Sequence, residues 1–352
     1  MTLRLDPALP LVWRTPEDLQ VGAAAPVAVL EGAGDVEAGL ITALRHGVSL
    51  STLISIGSGL GATPDRVHDL LARLSAGLVE DSRPSEAAPA LRPSASSPSA
   101  LSAPSESGGR ADAAAPRPRT VGLDGSGPLA DLLAANLALL GHDVLHLEPR
   151  GLEAPATDPD RHDADLVVIV AAWAVTPARH LPWLRRDVPH LAVVGDDAGI
   201  RVGPFVEPGR GPCLRCLDLE ARDADAAWPV IAAQLAGRPA PLAAPRLLFD
   251  AAALAARAVD ARLDAPPFDG RFVGRDDRTA GRPTEQPAAG GERLAAASVS
   301  FDRRGSVGRR REHAEHPACG CRAPGGIAIP HALPAAGHRA APSSATTAAV
   351  PA

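Results

Sequence analysis

The sequence predicts an α/β fold: a mostly parallel sheet flanked by helices, preceded by a smaller α+β unit. Three observations predict it. From Thr120 onward, strand-like and helix-like runs alternate, beginning with TVGLDG, GPLADLLAANLALLG and DVLHLEP, a β-α-β opening. Before that opening lies a tract, SRPSEAAPALRPSASSPSALSAPSESGGRADAAAPRP (82–118), with no apolar period, which separates the main domain from residues 1–81. Ahead of the tract, two helix faces and short strand-like runs are enough for a small independent unit.

Within residues 1–81, PLVWRT and PVAVLEG read as strands, and Val36, Leu40, Ile41 and Leu44 mark one helix face. A second helix begins at Thr63, which can cap it, with Pro64 in its first turn and Val67, Leu70, Leu71 and Leu74 as its apolar stripe. Gly77 ends it before a short strand, LVE. This order suggests a winged-helix-like unit, with a helical cap on the main domain as the alternative.

The main domain is expected over 119–263. DADLVVIVAAW and HLAVVGDD read as buried strands and RLLFDAAALAARAVDARL as a long amphipathic helix. Residues 264–290 and 323–352 read as disordered, with a short return segment, 291–322, between them.

Composition narrows the partners. The 352 residues carry a net charge of −6, no lysine, no tyrosine and five phenylalanines, so there is neither a basic face nor much to stack bases on, and nucleic acid is not expected. No apolar run is long enough to cross a bilayer, and MTLRLDPALPLVW lacks the unbroken apolar stretch of a signal peptide. A cytoplasmic, reducing location is the expectation, where paired cysteines serve metal or redox chemistry more often than disulfides.

Two motifs carry chemistry. Gly125, Gly127 and Ala130 form a G-x-G-x-x-A turn between a strand and a helix, where glycines admit a phosphate to the helix N-terminus, and Glu148 closes the next strand where a ribose-binding acid belongs. These residues are the candidate nucleotide site of a Rossmann-like domain; a tight strand–helix turn without a ligand is the plain alternative. The second motif is the full cysteine content of the chain. Cys213 and Cys216 (C-x-x-C) and Cys319 and Cys321 (C-x-C) supply a thiolate set for one tetrahedral Zn²⁺, with four free thiols or a labile redox pair as alternatives. A thioredoxin-like pair should open a helix, whereas VEPGRGP before Cys213 reads as loop. His313 and His316 lie near enough in sequence to compete as ligands.

A β-α-β opening with a glycine turn, followed by a split tetracysteine site, resembles the ThiF-like (ubiquitin-activating-enzyme-like) superfamily. VGPFVEPGRGPCLRCLDLEARDADAAWPVIAAQLA and HPACGC are similar, more narrowly, to actinobacterial cyclodehydratase-associated proteins of thiazole/oxazole-modified peptide pathways. The resemblance spans about 20–80, 119–263 and 295–321. It implies an N-terminal peptide clamp that binds a precursor peptide leader by strand addition, a homodimeric ThiF-like domain, and a YcaO-type cyclodehydratase as partner. Active superfamily members adenylate a carboxylate with ATP, and here the pattern departs from theirs. The Asn-Leu-x-Arg-Gln segment is missing, no lysine is present, and the expected Mg²⁺-binding aspartate is replaced around Trp173, leaving Arg150, Arg161 and Arg179 as substitutes. The implied function is a non-catalytic peptide-binding scaffold; an active adenylyltransferase using ATP is the alternative, and a nicotinamide-dependent enzyme a third.

Overall fold

In the computed structural model, residues 2–81, 119–147, 164–241, 243–264, 286–287, 294–303 and 308–322 are described. The expected disordered tracts, 82–118, most of 264–290, and 323–352, lie outside them. The chain divides into two compact units, Met1–Cys321 and Arg322–Ala352; only Arg322 of the second is described.

The N-terminal region contains β1 (Thr2–Leu5), β2 (Leu11–Trp13), β3 (Leu19–Val21), β4 (Ala28–Leu30), α1 (Asp35–His46), β5 (Val48–Ser49), α2 (Leu50–Gly59), α3 (Pro64–Leu74) and β6 (Leu78–Asp81). They make two small antiparallel sheets, ordered β5-β1-β6 and β2-β3-β4. Thr63 caps α3 as expected, its hydroxyl accepting from the Arg66 amide. Val67, Leu70 and Leu74 bury against Leu5, Leu40, Leu44 and Leu53, so the α3 stripe closes a core made only of N-terminal residues. A cap would have turned that stripe onto the sheet domain.

The main domain follows with β7 (Thr120–Asp124), α4 (Pro128–Leu139), β8 (Asp143–Leu147), β9 (Leu166–Ala172), α5 (Pro177–Arg185), β10 (His190–Gly195), β11 (Gly199–Val206), α6 (Leu214–Ala224), α7 (Trp228–Leu235), α8 (Pro245–Leu263), β12 (Gln286–Pro287), β13 (Ala297–Asp302) and β14 (Arg309–Glu312). Its sheet is ordered β8-β7-β9-β10-β11-β13-β14-β12. Strands β8, β7, β9 and β10 are parallel, and the remainder is antiparallel. The sheet is therefore mixed rather than mostly parallel. GIRVGPFV, read from sequence as no element, is the strand at which direction reverses, and the return segment extends the sheet as a hairpin.

Alternation sends side chains to two faces. Val121, Leu123, Val168, Val193 and Val202 meet α4 and α8 on one face, where Ala251, Ala252, Ala255 and Ala256 let α8 approach closely. Val167, Ile169, Ala192 and Val194 face the other way, toward Trp183, Cys213, Leu214 and Cys216.

The two regions also touch. Arg14 forks onto Asp225 at 2.8 and 2.6 Å, and the Ala23 and Ala24 amides donate to Asp197 at 2.6 and 2.8 Å. Val12 and Ala23 pack with Trp173, Ile231 and Leu235. The sequence suggests a unit free to reach several positions; the structure shows a unit with its own core that is docked.

Candidate functional site

The four cysteines converge. Cys213 Sγ lies 3.8 Å from Cys216 Sγ and 3.6 Å from Cys319 Sγ, and Cys216 Sγ lies 3.6 Å from Cys321 Sγ. All four sulfurs fall within 4.8 Å of one another, close enough to hold one metal ion. A tetrahedron with Zn–S bonds of about 2.3 Å separates sulfurs by about 3.8 Å, whereas a disulfide requires about 2.05 Å. The set is thus a cage of free thiols and not two disulfides.

Local structure explains how each pair is held. Cys213 is the N-cap of α6, and its carbonyl accepts the Cys216 amide at 2.9 Å, so the first pair bends around the helix start. The segment before Cys213 is a loop, as read, yet the C-x-x-C that follows it does open a helix. What argues against an isolated redox couple is the second pair. A turn closed by the Cys319 amide on the His316 carbonyl at 2.9 Å delivers Cys319, and a single 3-10 turn over Gly320–Arg322 places Cys321.

The electrostatics fit a cation. Burial pushes the Cys213 thiol up, and burial followed by the hydrogen bond with Cys216 pushes Cys321 up to about 12. For Cys216, burial is outweighed by hydrogen bonds from the His316 and Cys213 backbones, which bring it below the ordinary thiol range. A divalent ion reverses the cost for the others by replacing protons with a charge all four thiolates share. The histidines do not compete. His313 uses Nε2 on Ser298 Oγ (2.8 Å) and Nδ1 on Glu220 (3.2 Å), and His316 uses Nε2 on Asp223 (2.8 Å) while its Nδ1 accepts the Ala318 amide (3.1 Å).

The glycine turn is built differently. Gly125 and Gly127 adopt φ of +149° and +92°, and a Cβ at Gly125 would meet the Val170 carbonyl oxygen at 2.7 Å. Gly125 is therefore required by strand–turn packing alone. Gly127 caps α4 with open space above it, and Ala130 is buried on that helix's inner face. Beneath the turn, fully buried Asp124 pairs with Arg179, whose Nη2 donates to Asp124 Oδ1 (2.9 Å), the Asp124 carbonyl (2.7 Å) and the Val170 carbonyl (2.9 Å). Arg179 is thereby committed to protein acceptors. Glu148, Arg150 and Arg161 lie outside the described residues. Trp173, where the aspartate was expected, sits at φ +65°, a rare conformation for a bulky residue, with its indole N–H buried and unpartnered among the described residues.

No protein-family model matches the chain, and no curated protein matches it. Among solved structures it is similar to the heterocyclase TruD (17% identity, 90% of this chain and 42% of that one, TM-score 0.37). It is also similar to the E. coli microcin synthetase McbBCD complex (11%, 90% and 99%, 0.38) and to E. coli MccB with AMPCPP and MccA (9%, 92% and 99%, 0.38). The chain spans about two fifths of the length of the first heterocyclase chains it matches. No helix among the described residues is long and apolar enough to cross a membrane.

Proposed function

We propose that the chain is a ThiF-like, non-catalytic scaffold that holds a precursor-peptide leader for a separate, YcaO-type cyclodehydratase in thiazole/oxazole-modified peptide biosynthesis. In this reading it acts in the cytoplasm as a homodimer, and residues 1–81 are a winged-helix-like peptide clamp. Cys213, Cys216, Cys319 and Cys321 hold a structural Zn²⁺ that ties the return segment to α6.

The observation that carries the reading is the outer edge of β6. Strand addition needs an edge with free backbone donors and acceptors. Three edges in the N-terminal region serve poorly. The β2 edge is occupied by Gln234, whose amide accepts from Trp13 N–H (2.9 Å) and donates to Trp13 C=O (2.7 Å). Arg73 donates to the Val29 carbonyl of β4 at 2.7 Å, and β5 is two residues long. The four-residue β6 pairs with β1 on one side only among the described residues, and its Val79 is 40% exposed. The absence of lysine and the engagement of Arg179 favour a scaffold over an enzyme, because phosphoryl chemistry needs free cations at the developing charge.

Hydrogen exchange on the full chain, with and without the precursor peptide encoded beside it, tests the clamp. The expected result is protection of amides in 78–81. Protection confined to the main domain, or none, overturns it. The alternative, an ATP-dependent adenylyltransferase using Gly125, Gly127, Ala130 and Glu148, predicts peptide-dependent ATP–pyrophosphate exchange; the scaffold reading expects none.

A further inference from the structure

The cysteine cage is one end of a longer seam between α6 and the return segment. Cys216, Glu220 and Asp223 stand four and then three residues apart on α6, the spacing that lines up one helix face. Each meets the return segment. Cys216 Sγ faces Cys321 Sγ at 3.6 Å, Glu220 meets Arg311 and His313, and Asp223 meets His316 Nε2 at 2.8 Å.

His316 is the hub of that seam. Its Nδ1 accepts the Ala318 amide at 3.1 Å, which puts the ring proton on Nε2, the nitrogen that donates to Asp223. Its carbonyl accepts the Cys319 amide at 2.9 Å, and its backbone also hydrogen-bonds the Cys216 sulfur. Both ring nitrogens are spent, so neither is left for an ion. One residue therefore closes the turn into Cys319 from its ring and its carbonyl, touches a sulfur of the other pair, and is tied to α6 through Asp223. The His316 side chain is 12% exposed and covered on most sides, whereas Asp223 is 54% exposed.

We infer that His316, held by Asp223, is the positioning residue of the metal site: it sets Cys319 against the α6 pair and does not itself bind the ion. The inference rests on the proposed four-cysteine zinc site. Its physical basis is preorganisation. Pro317 and Ala318, between His316 and Cys319, are exposed, so hydrogen bonds to His316 and not apolar packing fix the turn. Without them Cys319 must be ordered when the ion binds, and that ordering costs affinity.

The test uses the full chain, with Zn²⁺ affinity read by competition with a chelator and the ligand set read from the absorption of bound Co²⁺. His316→Ala and Asp223→Ala should each weaken Zn²⁺ about 10–100-fold. The double variant should match His316→Ala, because Asp223 acts through His316. His316→Asn, whose oxygen can stand in for Nδ1, and His316→Gln, whose amide nitrogen can reach Asp223, should each restore part of the loss. The Co²⁺ spectrum should keep its four-thiolate pattern in every variant. Unchanged Zn²⁺ affinity in His316→Ala, with Tm lowered equally in metal-free and metal-loaded protein, makes the residue merely structural and overturns the inference while the zinc site stands. A Co²⁺ spectrum that loses a nitrogen ligand in His316→Ala overturns it as well, by making His316 a ligand. Wild-type protein that binds no Zn²⁺ overturns the zinc site itself. Should His316→Ala fail to fold, Asp223→Ala, on the exposed helix surface, decides: wild-type affinity there overturns the inference.

Discussion

Four cysteines from segments more than a hundred residues apart end within 4.8 Å of one another, whereas the glycines of the 125–130 turn, neighbours in sequence, close over a buried Asp124–Arg179 pair. The first motif asks the fold to bring scarce, chemically matched groups together, and the chain does so with a helix cap on one side and a tight turn on the other. The second asks only that a strand turn into a helix, which packing demands whether or not a phosphate comes. The difference is one of evidence. Four matched ligand atoms converging at long range could hold a metal ion, while a local glycine pattern is satisfied by steric need alone, as the contact of Gly125 with Val170 illustrates.

Removing a cysteine should have the largest effect. Structural zinc contributes on the order of 10 kcal/mol of apparent binding energy in small zinc modules. Cys319→Ser should drop bound metal from one ion per chain toward none by elemental analysis, and lower Tm by more than ~10 °C. It should also expose 294–322 to protease, while any ligand bound at the β6 edge remains bound. A full-strength Tm in metal-free protein would leave the cage as four packed thiols.

Acid should act next, on the cysteine side of the sheet. His180 and His190 are buried there; both ring nitrogens of His180 and Nε2 of His190 lack partners among the described residues. Burial, then the neighbouring His190, lowers His180 to about 3, and burial lowers His190 to about 4. Both fold as neutral rings. The unfolded chain, titrating near 6.5, binds more protons between that value and about 3–4, so stability is complete above pH 6.5 and is lost as pH falls through this window. Each unit of depression is worth about 1.4 kcal/mol. His180→Leu should flatten the acid limb of a Tm-versus-pH curve with metal content at neutral pH unchanged; an unaltered limb would assign acid sensitivity to other groups.

What was legible in sequence follows the same division. The β-α-β opening, β9, β10 and α8 have clean apolar periods, and Thr63 and Pro64 announce α3. Helix α2, LSTLISIGSG, was missed because its Ser, Gly and β-branched residues have poor helix propensity. It forms because Ser49 caps it and because Gly57 admits Val67, whose methyl would lie 2.7 Å from an added Cβ. Strand β11 was missed because GIRVGPFV breaks its apolar run with two glycines, a proline and an arginine. Gly199 and Gly203 pass so close to β13 that added Cβ atoms would strike the Phe301 and Ala297 carbonyls. The cysteines needed no such context, being the only four in the chain.

The smallest effect belongs to the glycine turn, and it separates structure from chemistry there. Asp124→Ala leaves Arg179 buried without its counter-charge and should cost about 3–5 kcal/mol, read by urea denaturation. Replacing both partners by apolar residues of similar size, Asp124→Leu with Arg179→Met, removes two desolvated charges together and should recover stability to within about 1–2 kcal/mol of wild type. The Val170 and Asp124 carbonyls would still lose their Arg179 donor, so recovery should stop short of complete. ATP adds the decisive arm. If the pair only supports the turn, ATP leaves the Tm of wild type and double variant equally unmoved. If the turn cradles a nucleotide with Arg179 as its cation, ATP raises the wild-type Tm and the double variant loses that rise while keeping its fold. A rise of that kind would turn the glycine turn from a packing device into a binding site and bring the two motifs back to equal standing.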